Sequence, residues 1–356
     1  MLIFMFLRNF LLILGATVGA GIFSLPYVVT RSGYMSVFIL LILLGSAMGA
    51  VNYYYYEIVR SIKKSHQFPG YVLHILGKRF WFIAVLLLLG STYGALLAYL
   101  NLGGHFFAHL FNISSSKGVL WFYVLVTLPF LFLRGQLELW DHIVTVIKMA
   151  IFTVLSFVAV SLIFDRSSSV VIPIATADIP LAYGAILFAL AGFSIVPELK
   201  KMPFKSKGVF IYTQVVMVVL YGIFSYGFAG SIGPAGEFLF QGILGRLLDG
   251  AGLFAVYTPY LLFSWVAYDM FTKDLEFSKT HARLLILLLP LLLLALGFTS
   301  FAQIIAVTGG IFLGGIGYLI IAMYKRRFPT NHSFYLSILQ FLFIAGIAAE
   351  IIKLFS

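Results

Sequence analysis

The sequence predicts an all-α polytopic membrane protein. Of its 356 residues, 62% are hydrophobic and only 10% are charged, whereas about a quarter of the residues in a soluble domain carry a charge. The mean hydropathy is +1.07. The apolar residues form runs of about 20, which is the helix length that crosses a bilayer. We therefore expect a single transmembrane domain over residues 1–356.

Eleven apolar segments are predicted to cross the bilayer. They run over residues 9–30, 34–57, 80–111, 118–133, 142–164, 181–199, 208–230, 251–272, 284–298, 301–324 and 333–354. Two connections are longer than the others. Residues 58–79 contain YVLHIL, which is typical of a short helix at the membrane surface. Residues 231–250 are expected to form a loop over the outer entrance.

The distribution of Lys and Arg predicts the orientation. With a cytoplasmic N-terminus, five of the 23 basic residues lie on the outer side: Arg31, Lys117, Arg166, Arg246 and Lys353. Lys148 lies inside a segment, and the remaining basic residues face the cytoplasm, in agreement with the positive-inside rule. The C-terminus is then outside. This clustering accounts for the net charge of +11 without any nucleic-acid partner.

Several classes of chemistry find no support in the sequence. There is no cysteine, so disulfides and thiolate metal sites are excluded. No Ser/His/Asp set or phosphate loop occurs, and we do not expect an enzyme. His105 and His109 lie four residues apart on one helix face, but no third ligand accompanies them, so no metal site is expected. We also expect no cofactor and no obligate protein partner.

The first segment contains a predicted helix break. The stretch from Gly15 to Pro26, GATVGAGIFSLP, has glycines and a proline where a plain spanning helix would have leucines. An unwound helix inside a membrane needs a polar occupant for its backbone groups. A substrate carboxylate fits the helix N-terminus that follows, and the groups that would bind it are the N–H groups of Gly19, Ala20 and Gly21 and the hydroxyl of Thr17. Alternatively, the glycines only allow close helix packing.

A second break is predicted in the sixth segment. AGFSIVP at residues 191–197 repeats the pattern of AGIFSLP at residues 20–26. The two segments are five crossings apart, so the two halves of the chain would insert with opposite orientation. Such inverted repeats are typical of secondary transporters. The repeats would span about residues 8–165 and 181–324, with an additional helix at 333–354.

The second break offers acceptors rather than donors. Carbonyl groups at the end of a half-helix suit an ammonium group, and the residues in question are Ala189, Leu190 and Ala191. Phe188 is a candidate gate over the ligand, although a packing or lipid-facing role is an equal alternative. Ser194 is a further polar candidate.

Four motifs carry a resemblance to a known family. GATVGAGIFSLPY resembles the first-helix motif of the amino acid/polyamine/organocation transporter superfamily. LAYLNLGG, AGFSIVPEL and FSWVAYDMFTKDLEF resemble its amino acid/auxin permease branch, which includes bacterial aromatic amino acid permeases. The resemblance implies a LeuT-type fold of five plus five inverted helices with helices 1 and 6 broken. It also implies amino acid uptake across the cytoplasmic membrane of a prokaryote.

The resemblance also implies roles for particular positions. Ala20 and Gly21 would meet the substrate carboxylate, and residues Ala189 to Gly192 would meet its amine. Many members have a glutamate where this chain has Ser194, so coupling through that acid is not implied. Two tyrosines of the third segment are candidates to line the substrate pocket. Tyr93 is favoured because it lies near the middle of the membrane, and Tyr99 is favoured because it belongs to the family motif.

Lys148 is the candidate for ion coupling. It lies six residues into the fifth segment, roughly 9 Å along a helix, where an unpaired ammonium is unfavourable. An amine removed from water releases its proton more readily. The alternative is that the side chain reaches back to the inner surface near Asp141. In similar proton-coupled transporters a fifth-helix lysine occupies the sodium position beside an eighth-helix hydroxyl, which here is Ser264.

These observations predict a secondary active transporter. It would import a neutral, large or aromatic amino acid by alternating access within the lipid bilayer, with H⁺ favoured over Na⁺ as the coupling ion. A sodium-coupled symporter or an exchanger is the alternative within transport. A transport-inactive amino acid sensor is the alternative from another class, and such proteins usually carry long soluble tails.

Overall fold

The computed structural model describes residues 2–132, 137–164, 178–201, 208–231, 242–329 and 333–355. Within these ranges, the side chains of residues 2–5, 7, 8, 12, 16, 137–149, 198, 201, 243, 244 and 333 lie outside the description. All regular structure in these ranges is helical. The α-helices are α1 (Leu2–Thr17), α2 (Gly21–Ser32), α3 (Tyr34–Ser61), α4 (Phe68–Leu76), α5 (Lys78–Phe111), α6 (Ser115–Phe132), α7 (Leu137–Phe164), α8 (Ile179–Leu190), α9 (Gly208–Ala229), α10 (Gly242–Asp269), α11 (Lys279–Ala295), α12 (Phe301–Val307), α13 (Gly314–Arg327) and α14 (Ser333–Phe355). A 3₁₀ turn covers Glu198–Lys201, and π-helical turns cover Met270–Asp274 and Thr308–Leu313.

Seven of the described helical stretches are long and apolar enough to cross a membrane. They are Tyr34–Ser61, Lys78–Phe111, Ser115–Phe132, Gly208–Ala229, Gly245–Asp274, Phe301–Arg327 and Phe334–Phe355. Large apolar side chains remain exposed on the outer faces of the bundle, including Phe132 and Phe341, which are 77% and 71% exposed. A lipid environment, unlike water, tolerates such surfaces. The chain is a multi-pass membrane protein.

Apart from α4, the described helices overlap the apolar segments that the sequence predicts, with some shifted ends. The predicted YVLHIL helix is confirmed as α4. The expected loop over residues 231–250 is wrong in its second half, because α10 begins at Gly242. Polar Arg246 and Asp249 make this first part of α10 look like a loop in hydropathy. It is helical because Leu248 and Asp249 turn inward and are only 1% and 7% exposed.

Both predicted helix breaks are present. The first segment is interrupted between α1 and α2 at residues 18–20, and the sixth segment ends its helix at Leu190. Ala191 has an extended backbone, with φ −72° and ψ 114°. Turns connect Ala191 to the 3₁₀ turn at Glu198–Lys201. Among the described residues, the part of the sixth segment that follows the break therefore contains no α-helix.

Helix α8 lies at the centre of the bundle. Its residues from Leu181 to Leu190 are all buried, and it packs against α2, α3, α12, α14 and the π-helical turn. A Cβ atom on Gly309 would clash with the carbonyl group of Gly184, so the π turn meets α8 backbone to backbone. The residues at the end of α8 are therefore held from several sides.

Asp178 fixes the start of α8. One carboxylate oxygen accepts a hydrogen bond from the N–H of Leu181 at 3.2 Å, and the carboxylate also pairs with Lys353 of α14 at 2.7 and 2.8 Å. The main-chain carbonyl of Asp178 accepts a hydrogen bond from Ser32 at the end of α2. Three helices therefore meet at this residue.

We expect Asp178→Ala to lower the stability of the protein by about 1–2 kcal/mol, because the variant loses a helix N-cap as well as an ion pair. Lys353→Ala loses only a partly exposed ion pair, which contributes under about 1 kcal/mol. Thermal unfolding in detergent measures the difference. An equal loss of stability in both variants would show that the cap contributes nothing.

Candidate functional site

The two helix breaks lie against each other and run in opposite directions. A Cβ atom on Gly21 would lie 2.5 Å from the Cα of Ala189, so these two backbones are in direct contact. A Cβ atom on Gly192 would lie 3.0 Å from the hydroxyl oxygen of Thr17. The earlier residue Thr17 faces the later residue Gly192, and Gly21 faces Ala189, so the two chain segments are antiparallel. The helix ends that the sequence assigns to one site are therefore adjacent.

The first break leads directly into the N-terminus of α2. Ala20 is the N-cap residue, and no side chain caps the helix there. The first turn is tightened by bonds from Ile22 N–H to Gly19 O at 3.5 Å and from Phe23 N–H to Ala20 O at 3.0 Å. A helix N-terminus without a side-chain cap presents its positive end to an anion.

Thr17 and Gly19 face different neighbours at the first break. The Thr17 hydroxyl donates to Ile13 O in its own helix at 2.7 Å, so it offers a lone pair rather than a free proton. Gly19 faces the side of α10 and α5, where a Cβ atom would lie 3.4 Å from Pro259 and 3.8 Å from the hydroxyl of Tyr99. Gly19, unlike Gly21, therefore has room for an added methyl group.

The carbonyl groups at the end of α8 are bonded to side chains of α9. The Tyr221 hydroxyl donates to Ala189 O at 3.2 Å, and the Gln214 amide donates to Leu190 O at 3.3 Å. Sequence reasoning missed both residues. A glutamine in the middle of an apolar membrane helix was the available signal, because such side chains form hydrogen bonds between helices.

Asn52 of α3 is a second polar residue that sequence reasoning missed. It is 1% exposed, and its amide nitrogen lies 3.3 Å from the position of a Cβ atom on Gly192. Its side-chain oxygen has no hydrogen-bond partner among the described residues. The second break therefore has a buried amide on each side, Gln214 from α9 and Asn52 from α3.

Aromatic rings border the breaks. The ring of Tyr99 lies 6.1 Å from that of Phe188 and 6.0 Å from that of Phe263, measured between centroids. Tyr99 and Phe188 are 5% and 8% exposed. The tyrosine hydroxyl beside Gly19 is that of Tyr99. The Tyr93 hydroxyl is buried and has no hydrogen-bond partner among the described residues.

The remaining candidate residues are placed as follows. Ser264 is fully buried, and its hydroxyl donates to Tyr260 O within α10 at 2.8 Å. Ser194 is half-buried in the turns after α8. Lys148 belongs to α7, which packs against α1, α9 and α10, and its side chain lies outside the described part of the structure.

The histidine pair has a carboxylate neighbour that the sequence did not indicate. His109 of α5 pairs with Asp249 of α10 at 2.5 Å. Their separation of 140 residues hides this contact from any local pattern. Within the described ranges, no group of three His, Cys, Asp or Glu residues is arranged to hold a metal ion.

Comparison with known sequences identifies the family. A sequence model of the tryptophan/tyrosine permease family matches residues 5–202. The chain belongs to this family. The matched region includes both helix breaks, Tyr99, Lys148 and the end of α8. The permease is a transporter and not an enzyme. No curated protein sequence matches the chain.

Solved structures confirm a LeuT-type fold for this permease. A manganese transporter of Eremococcus coleocola, solved with an aromatic bis-isothiourea substituted compound, has a TM-score of 0.67 and 12% sequence identity, covering 97% of this chain and 85% of that one. MhsT, solved with L-phenylalanine, has a TM-score of 0.61 and 15% identity, covering 96% of this chain and 97% of that one. At these identities the likeness concerns the fold alone.

The two glycines of the first break are expected to respond differently to the same change. Gly21→Ala puts a methyl group into the backbone of Ala189 and should destabilise the permease by about 1–3 kcal/mol, as overpacking does. Gly19→Ala meets only ordinary contacts and should unfold close to the wild-type temperature. Thermal unfolding of both variants tests this, and a stable Gly21→Ala protein would contradict the close contact between the breaks.

Proposed function

We propose that this permease is a secondary active transporter that imports a neutral aromatic amino acid by alternating access. The observation that carries the proposal is the antiparallel contact between the two breaks, at Gly21 with Ala189 and at Thr17 with Gly192. It brings the positive end of α2 next to the carbonyl end of α8. A zwitterion has the two opposite charges that these helix ends attract.

The character of the surrounding side chains supports a neutral substrate. The side chains described beside the breaks are hydroxyl, amide and aromatic groups, and none of them is charged: Thr17, Asn52, Tyr99, Phe188, Gln214, Tyr221 and Phe263. A charged substrate side chain would lack a partner among them, and burying an unpaired charge is strongly unfavourable.

An aromatic substrate is supported by the rings of Tyr99, Phe188 and Phe263. Aromatic pairs gain stabilisation beyond their buried area, so these three neighbouring rings would favour an aromatic ligand. The family description names tryptophan and tyrosine, and MhsT was solved with L-phenylalanine. The carboxylate would bind at Gly19, Ala20 and Gly21, and the amine at the carbonyl end of α8.

For coupling we propose a proton that is bound and released by Lys148. The support is the position of Lys148 within α7, a helix that packs against α1 before the first break and against α10, which carries Ser264. An ammonium group in hydrocarbon needs a functional or electrostatic reason. A sodium symporter or an exchanger is the alternative.

The proposal includes the arrangement of the chain in the membrane. Eleven crossings would form two inverted repeats over about residues 8–165 and 181–324, followed by an additional helix at 333–354. The opposite directions of the two breaks support this symmetry. The N-terminus would lie in the cytoplasm of a prokaryote and the C-terminus outside the inner membrane, as the distribution of Lys and Arg favours.

Uptake into proteoliposomes tests transport and coupling together. We expect an inwardly directed proton gradient to drive accumulation of radiolabelled L-tryptophan, with no response to a sodium gradient. Lys148→Met should retain counterflow and lose accumulation, because exchange needs the substrate site but no net proton movement. Lys117→Met, at an exposed position at the start of α6, is the matched control and should behave as wild type.

Two results would contradict the proposal. Accumulation that follows the sodium gradient and ignores pH would replace proton coupling by sodium coupling. Binding of L-tryptophan without counterflow would indicate a sensor that has lost transport.

A further inference from the structure

Helix α9 supplies hydrogen-bond donors to the end of α8 from one face. Gln214 and Tyr221 are seven residues apart, two helical turns, so both side chains point the same way. Their partners, Leu190 O and Ala189 O, are carbonyl groups of the last turn of α8. Those carbonyls lose their helical donors because the chain becomes extended at Ala191. Unbonded carbonyls this deeply buried would be unfavourable.

These two bonds are longer than most hydrogen bonds to a carbonyl. They measure 3.2 and 3.3 Å between heavy atoms, against a usual value of about 2.9 Å for N–H donors and less for O–H donors. Both donors are neutral. An ammonium group forms shorter, charge-assisted bonds that are roughly twice as strong. An amine at the end of α8 would therefore compete successfully for the same carbonyl oxygens.

A released Gln214 amide has an alternative acceptor nearby. Gln214 packs on α3 at Gly49, where a Cβ atom would lie 3.4 Å from its Cγ. Asn52 lies three residues further along α3, on the same helix face. The side-chain oxygen of Asn52 is buried and has no hydrogen-bond partner among the described residues. This oxygen can accept a hydrogen bond from the Gln214 amide once the bond from Gln214 to Leu190 O has broken.

We propose that Gln214 and Tyr221 take the place of the substrate ammonium while the site is empty. They satisfy the carbonyl oxygens of Leu190 and Ala189 until the amine displaces them, and Gln214 then turns to Asn52. The role rests on the proposed function, since it requires an amino acid as the ligand. Binding of the amine, and not of the carboxylate, would then change the hydrogen bonds made by side chains of α9 and α3.

The test measures affinity for two ligands that differ only in the amine. L-Tryptophan and indole-3-propanoate are titrated against purified protein by competition with radiolabelled L-tryptophan. Tyr221→Phe removes the donor and leaves Ala189 O unsatisfied in the empty site, so L-tryptophan should bind roughly fivefold more tightly. Indole-3-propanoate should bind with unchanged affinity, because it has no ammonium to replace the donor.

Tyr183→Phe is the matched control. It also deletes a buried tyrosine hydroxyl from the bundle, but this hydroxyl has no hydrogen-bond partner among the described residues and its ring packs on Gly346 of α14. We expect wild-type affinity for both ligands. Gln214→Met repeats the test at Leu190 O if Tyr221→Phe does not fold.

The outcomes separate this inference from the proposed function. Weaker or unchanged binding of L-tryptophan to Tyr221→Phe, or an equal change for both ligands, would overturn the inference and leave the transporter assignment intact. A wild-type protein that binds no aromatic amino acid would overturn the proposed function itself.

Discussion

The structure depends on one constraint, which is that a backbone interrupted inside a membrane must find partners for its polar groups. The permease interrupts two helices and places the interruptions together, with Gly21 against Ala189. Any side chain at position 21 would separate them. The contact of Gly184 with Gly309 presses the π-helical turn against the other side of α8. Helix α8 is consequently buried from Leu181 to Leu190, and the carbonyls of Ala189 and Leu190 accept hydrogen bonds from Tyr221 and Gln214.

This arrangement produces a site of dipoles rather than charges. The N-terminus of α2 and the C-terminus of α8 each carry a partial charge, and the side chains described around them are neutral. None of the side chains described beside the breaks carries a full charge. A zwitterion brings two charges that the helix ends complement, so loading the site leaves the net charge of the core unchanged.

Patterns local to the chain were predictable from the sequence. The glycines and proline of the first segment, and their repetition at residues 191–197, correctly located both breaks. The same reasoning gave Gly21 two alternative roles, backbone contact with a ligand and close helix packing. Its missing side chain makes room for Ala189, and ligand binding by its N–H stays a prediction. The sequence alone does not distinguish a glycine that leaves room for a ligand from one that leaves room for a neighbouring helix.

Contacts between helices were not predictable in the same way. The bonds from Tyr221 and Gln214 to α8, the buried amide of Asn52 and the pairing of His109 with Asp249 all depend on helix rotation and depth. Hydropathy reports neither of these quantities. It also misplaced the start of α10, where the inward-facing Asp249 resembles a loop residue. The coupling role of Lys148 stays a prediction, since its side chain lies outside the described residues.

The central claim is that one site holds both charged ends of an aromatic amino acid. Equilibrium binding to the purified permease tests it most directly, with L-tryptophan, its methyl ester and indole-3-propanoate as ligands. Each analogue lacks one charged end, and each loss removes charge-assisted hydrogen bonds that contribute about 1.5–3 kcal/mol. The account predicts that both analogues bind at least about tenfold more weakly than L-tryptophan. An analogue that binds as tightly as L-tryptophan would contradict it.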